Sequence, residues 1–244
     1  MEARERIILA LDVPTLDKAE QLVSKIGRHV GYYKIGLEFI NSVGAPEAID
    51  FVYGCGVKCF VDEKFCDIPN TVGGAVAAIT WSNRVAMFNV MASGGIPMMM
   101  AAAKNKRGGV LALAVTVLTS LDEENAYTAL DAPTRVKVLR YARDAKLAGM
   151  DGVICSPQEL PLFAKNKELD GLLKVTPGVR PAGSAMNDQE RVMTPYDAIL
   201  AGADYLVIGR PISNPPQGTP VEAAERIGEE IEKALAKRAA STAS

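Results

Sequence analysis

Eight short apolar runs, each followed by a segment with helical periodicity, constrain this chain more than any other feature. The runs are Ile7–Asp12, Tyr32–Leu37, Cys59–Lys64, Met87–Met91, Leu111–Leu118, Gly152–Cys155, Leu172–Thr176 and Tyr205–Ile208. Near-continuous apolar strands alternating with helices predict a parallel sheet covered by those helices. Eight such units in 244 residues match a closed barrel better than an open doubly wound sheet. An open sheet of the dinucleotide-binding kind usually has a G-x-G-x-x-G turn after its first strand. Here that turn reads Leu11-Asp12-Val13-Pro14-Thr15. The expected fold is α/β, a single-domain (β/α)8 TIM barrel over residues 1–238, with 239–244 as a flexible C-terminal tail.

Local signals agree with this alternation. Ser156-Pro157-Gln158-Glu159, Thr194-Pro195-Tyr196-Asp197 and Thr219-Pro220-Val221-Glu222 each place a hydroxyl cap, a proline at the first helical position and an acid at the third. Gly149 and Gly202 fall where helices should stop before the next strand.

Composition excludes several function classes. Lysine and arginine number 27 against 29 aspartates and glutamates, a net charge of −2, which lacks the basic footprint of a nucleic-acid binder. The low-charge stretch near Val85–Ala103 is broken by Asn89, Gly94, Gly95 and Pro97, so no membrane span is expected. Cys55, Cys59, Cys66 and Cys155 form no secretory framework. The Cys55-x-x-x-Cys59 spacing has no second Cys/His pair to complete a zinc site, and His29 is the sole histidine. Reduced thiols and a cytoplasmic location, with no secretory leader, are expected.

In a barrel of this kind the site lies at the C-terminal ends of the strands. Those ends carry Asp12, then Lys34, then the run Asp62-Glu63-Lys64-Phe65-Cys66-Asp67. Alternation puts Asp62 and Lys64 on one side of their strand, facing the barrel mouth if Phe60 points inward. A salt-bridge network that merely closes the core would account for any one of these residues. Five charges, Asp12, Lys34, Asp62, Lys64 and Asp67, alternating in sign around one cavity point instead to chemistry. Gly178, Arg180, Gly209 and Arg210 follow the last two strands, where such barrels commonly bind phosphate. The arginine fork of Arg210 suits a phosphate dianion. The segment Arg180–Arg191 has no apolar periodicity and reads as a long closing loop, from which Gln189 could reach both a phosphate and a ring carbonyl.

The run Asp62-Glu63-Lys64-Phe65-Cys66-Asp67-Ile68-Pro69-Asn70-Thr71 resembles the D-x-K-x-x-D-I-P-N-T signature of the orotidine 5′-monophosphate decarboxylase family. The resemblance covers nearly the whole chain. Leu9–Asp12, Tyr33–Gly36, Val117–Ser120, Val175–Arg180, Asp188-Gln189 and Ile208–Pro211 match in the same order. Cys66 and Met91 depart from it, standing where the family often has histidine.

The resemblance implies decarboxylation of orotidine 5′-monophosphate to uridine 5′-monophosphate, the last step of de novo pyrimidine nucleotide synthesis, with no metal and no cofactor. It implies that Lys64 protonates C6, that Asp62 faces the substrate carboxylate, and that Lys34 and Asp12 hold ribose hydroxyls. It implies that Thr119 places the pyrimidine and that Arg180, Gln189, Gly209 and Arg210 hold the phosphate. It also implies a homodimer in which Asp67 and Thr71 reach the neighbouring subunit's site. Two rival readings are a magnesium-dependent sugar-phosphate decarboxylase or synthase on the same barrel, and a catalytically silent nucleotide-phosphate-binding barrel.

Overall fold

The computed structural model describes residues 1–181 and 193–242. Its eight strands are β1 (Ile7–Leu11), β2 (Tyr32–Gly36), β3 (Lys58–Phe65), β4 (Val85–Met91), β5 (Leu111–Val115), β6 (Gly152–Ile154), β7 (Leu173–Pro177) and β8 (Tyr205–Ile208). All pair in parallel in chain order, and β1 closes on β8 with Ile8 opposite Val207. The expected barrel is therefore present, with helices between successive strands.

Alternation along each strand splits the apolar residues into two layers. Ile8, Tyr32, Phe60, Met87, Leu113, Ile154, Val175 and Tyr205 fill the barrel interior. Ile7, Leu9, Tyr33, Ile35, Val61, Phe88, Val90 and Leu206 face outward and pack on helix residues such as Ile26, Phe39, Val76, Met98, Val138 and Ile227. Each fully buried side chain of this size contributes about 1.5–3 kcal/mol. Phe60 points inward and is fully buried, so the next inward positions of β3 lie at the barrel mouth.

The three anticipated caps form. The Ser156 hydroxyl accepts from the Gln158 N–H while Glu159 accepts from the Ser156 N–H at 2.8 Å. Thr194 accepts from the Asp197 N–H, and Thr219 exchanges bonds with Glu222. Gly149 and Gly202 have φ of 77° and 115°, a left-handed backbone that glycine adopts without a Cβ penalty.

Several strand ends shift by one or two residues from the sequence reading, and three differences are larger or change an element. β5 stops at Val115 rather than Leu118: its pairing with β6 ends at Val115 opposite Ile154, where the Thr116 N–H and hydroxyl both donate to the Ile154 carbonyl. Leu37 begins the helix Leu37–Val43 instead of ending β2. The last helix runs Pro220–Thr242, so residues 239–242 continue a helix where a flexible tail is expected.

All four cysteines are free thiols. Burial pushes the Cys59 thiol up to about 12 and raises that of Cys155 as well, so both act as packing residues. No helix among the described residues is long and apolar enough to cross a membrane.

Candidate active site

Strand geometry brings the charges of β1, β2 and β3 into one chain of contacts. Lys34 Nζ lies 3.1 Å from Asp12 Oδ1 and 3.1 Å from Asp62 Oδ2. Lys64 Nζ lies 2.7 Å from Asp62 Oδ1. The order Asp12–Lys34–Asp62–Lys64 thus alternates in sign, each buried charge meeting an opposite one, as burial requires. Gly36 makes room for this chain. A Cβ there would stand 2.9 Å from Lys34 Nζ and 3.4 Å from Asp12 Oδ1.

The pairing sets the protonation states. Burial disfavours the Lys34 ammonium, but Asp62 and Asp12 together outweigh it and hold its pKa above the ordinary value. Burial also disfavours the Asp62 carboxylate. Lys34, Lys64 and the hydrogen bonds from Lys64 and Asn89 outweigh it and hold that pKa below the ordinary value.

β3 reaches this arrangement through a bulge, not as the flat strand that simple alternation assumes. Its pairing with β4 passes from Val61 opposite Phe88 to Phe65 opposite Val90. Lys64 has a φ of 53°, in the left-handed region, where a non-glycine residue carries about 1–3 kcal/mol of strain. Its N–H leaves the ladder and donates to Asn89 Oδ1 at 2.8 Å, while Asn89 Nδ2 donates to Asp62 Oδ1 at 2.6 Å.

The four charges open on a cavity of about 530 Å³, within the usual size of a small-molecule site. Phe60, Ile154 and Val207 supply apolar lining, and Thr119 reaches in from the segment after β5. Gly178 and Arg180 after β7, with Gly209 and Arg210 after β8, line the same cavity. Burial and the neighbouring Arg210 both lower the Arg180 pKa, the effect of two like charges brought together. An anion between such guanidinium groups relieves their repulsion and receives planar donor forks. A wider depression of about 1000 Å³ lies at the opposite end, around Met1, Arg28, His29 and Glu225. Its charged side chains are all exposed, so it lacks the enclosed electrostatics of the barrel mouth.

Similarity to known proteins agrees with this geometry. The orotidine 5′-phosphate decarboxylase / HUMPS family pattern matches residues 5–227. The chain belongs to that family. It is 43% identical over 249 residues to the orotidine 5′-phosphate decarboxylase of Heliobacterium modesticaldum, covering 98% of this chain and 100% of that protein. It is 46% identical over 242 residues to the Moorella thermoacetica protein of the same name, covering 95% and 94%. The crystal structure of orotidine 5′-phosphate decarboxylase from Lactobacillus acidophilus superposes with a TM-score of 0.77 at 32% identity, over 92% of this chain and 98% of that one.

In this member of the orotidine 5′-phosphate decarboxylase / HUMPS family, Asp12, Lys34, Asp62, Lys64, Thr119, Arg180, Gly209 and Arg210 meet in one cavity. Asp67 and Thr71 do not line it. Both are exposed around the start of the helix Pro69–Thr80, and Asp67 Oδ1 accepts from the Ile68 N–H at 2.6 Å. Within one chain Lys64 is therefore held by Asp62. Gln189 lies outside the described residues, as does most of the segment Arg180–Arg191 expected to close over the site. Asn89 and Gly36 are the site residues that sequence reasoning missed. A legible signal existed for Asn89, a lone amide inside the apolar strand Val85–Met91. For Gly36 none did, since its role depends on where the Lys34 ammonium ends.

Proposed function

We propose that this chain converts orotidine 5′-monophosphate to uridine 5′-monophosphate and carbon dioxide without a metal or cofactor, using the charge network at the barrel mouth. One observation carries this reading. The Asp12–Lys34–Asp62–Lys64 chain and the Arg180/Arg210 pair line the same cavity, in a family whose relatives are named for this reaction.

Arg180, Arg210 and the backbone of Gly209 hold the phosphate, with Gln189 as a further contributor. Thr119 places the pyrimidine, and Lys34 and Asp12 hold the ribose hydroxyls. The C6–carboxylate bond breaks and its electron pair stays on C6. The Lys64 ammonium lies where that negative charge develops, a fixed charge that needs no reorganisation during the step. It then gives its proton to C6 and recovers one from water. Asp62 anchors the ammonium and faces the departing carboxylate, so that charge repulsion is relieved as carbon dioxide leaves. Binding energy from the phosphate, which does not react, holds the ring against the network.

Asp62 has little capacity left for a cation. Its Oδ1 already accepts from Lys64 and Asn89, and its Oδ2 meets Lys34. This supports the metal-free route over a magnesium-dependent sugar-phosphate reaction. A homodimer fits the exposure of Asp67 and Thr71, which on this reading serve the partner's site. Loss of specific activity on dilution is the expected mark of that assembly. The main test is an ultraviolet assay of orotidine 5′-monophosphate with a chelator present. Undiminished turnover supports the proposal. Turnover that needs added magnesium, or none on this substrate, overturns it.

A further inference from the structure

Across the β3–β4 bulge, three residues of β3, Asp62, Glu63 and Lys64, face a single residue of β4, Asn89. Ladder pairing cannot serve the Lys64 N–H there. The Asn89 side chain takes its place, with Oδ1 accepting from the Lys64 N–H and Nδ2 donating to the Asp62 carboxylate. The amide can be oriented only this way, because a backbone N–H needs an acceptor and a carboxylate needs a donor. Asn89 is fully buried and does not line the cavity, so it cannot touch a substrate there.

We propose that Asn89 is a positioning residue whose side-chain amide locks the left-handed backbone of Lys64 and the Asp62 carboxylate into one fixed unit. This rests on the decarboxylase reading of the site. Both groups that act on the reacting carbon are held by one amide from the neighbouring strand. Without it, Lys64 can relax its backbone and swing its amine away, and Asp62 loses a donor. The groups facing Asp62 are Lys34 from β2, Lys64 from its own strand and Asn89 from β4. Asp12 sits behind Lys34, and Arg180 and Arg210 face the same cavity from the segments after β7 and β8.

The test uses the full-length N89A variant, with N89D as a second variant. N89D keeps an acceptor for Lys64 but cannot donate to Asp62 when ionised. The expected result for N89A is a fall in kcat of at least about tenfold, equivalent to about 1.4 kcal/mol, with KM little changed. The acid limb of the kcat profile should move to higher pH, and further in N89D, where a second carboxylate faces Asp62. A purely structural role would lower thermal stability and leave that limb in place. NMR titration of the Asp62 carboxyl and exchange of the Lys64 amide read the same unit without turnover. N89A should raise the Asp62 midpoint and speed Lys64 exchange. Wild-type kcat and an unmoved Asp62 midpoint in N89A overturn the proposal. If the wild-type protein fails to decarboxylate orotidine 5′-monophosphate, the reading of the function falls, and the NMR measurements still decide whether Asn89 locks the pair.

Discussion

Gly36 and Lys34 share one space: the Cβ that Gly36 lacks would stand 2.9 Å from the Lys34 ammonium. The Gly36 backbone, at φ −110°, is open to any residue, so the glycine is required by the ammonium and not by a turn. G36A therefore displaces the flexible end of a side chain rather than the fold. We expect kcat/KM on orotidine 5′-monophosphate to fall about tenfold or more, with Tm shifted by no more than about 4 °C. Paired melting curves and steady-state assays check this. A large loss of Tm with little loss of activity would show that Gly36 serves packing instead.

Removing Lys34 itself should cost stability as well as activity. In K34M the cation between Asp12 and Asp62 is gone and a buried carboxylate is left with less compensation, which costs about 3 kcal/mol near neutral pH. The pH dependence has a definite sign. The Asp62 pKa is lowered in the folded protein, so its contribution is present above the ordinary 3.8 and is lost as pH falls through the lowered value. The Lys34 pKa is raised, so its contribution is present below the ordinary 10.5 and is lost as pH rises through the raised value. Urea titrations should find the gap between wild type and K34M widest between these limits and closing at both extremes. A gap independent of pH would contradict the ion-pair account.

Arg210 should matter to substrate more than to the fold. R210A is expected to lower kcat/KM at least about 100-fold, since a guanidinium–phosphate pair is lost, with a Tm near wild type. The nucleoside without its phosphate separates the two roles. Its slow turnover should be almost unaffected by R210A. Equal losses with both substrates would place Arg210 in the structure of the mouth rather than in phosphate recognition.

The barrel was legible because its signals are local: each strand is a short apolar run, and proline and hydroxyl residues mark several helix starts. The charges at the strand ends were legible for the same reason, since Asp12, Lys34, Asp62 and Lys64 stand out against apolar neighbours. What the sequence hid depends on contacts between strands. The bulge that puts Lys64 at φ 53° follows from a register shift against β4, and Asn89 matters only because it lies opposite that shift. Gly36 matters only because the ammonium of Lys34 ends beside it. The end of β5 was hidden because Val117 and Leu118 are apolar, whereas pairing with β6 stops at Val115 opposite Ile154.

The most direct measurement is carbon dioxide release from orotidine 5′-monophosphate, with chelator present, by the wild-type protein and by K64A. On the proposed mechanism the Lys64 ammonium both meets the developing charge and supplies the proton, so K64A should fold, melt near the wild-type temperature and lose at least about 1000-fold in kcat. Wild-type release at full rate under chelator, with K64A folded and nearly silent, is the predicted result. A folded K64A that retains a substantial fraction of wild-type release would contradict the account.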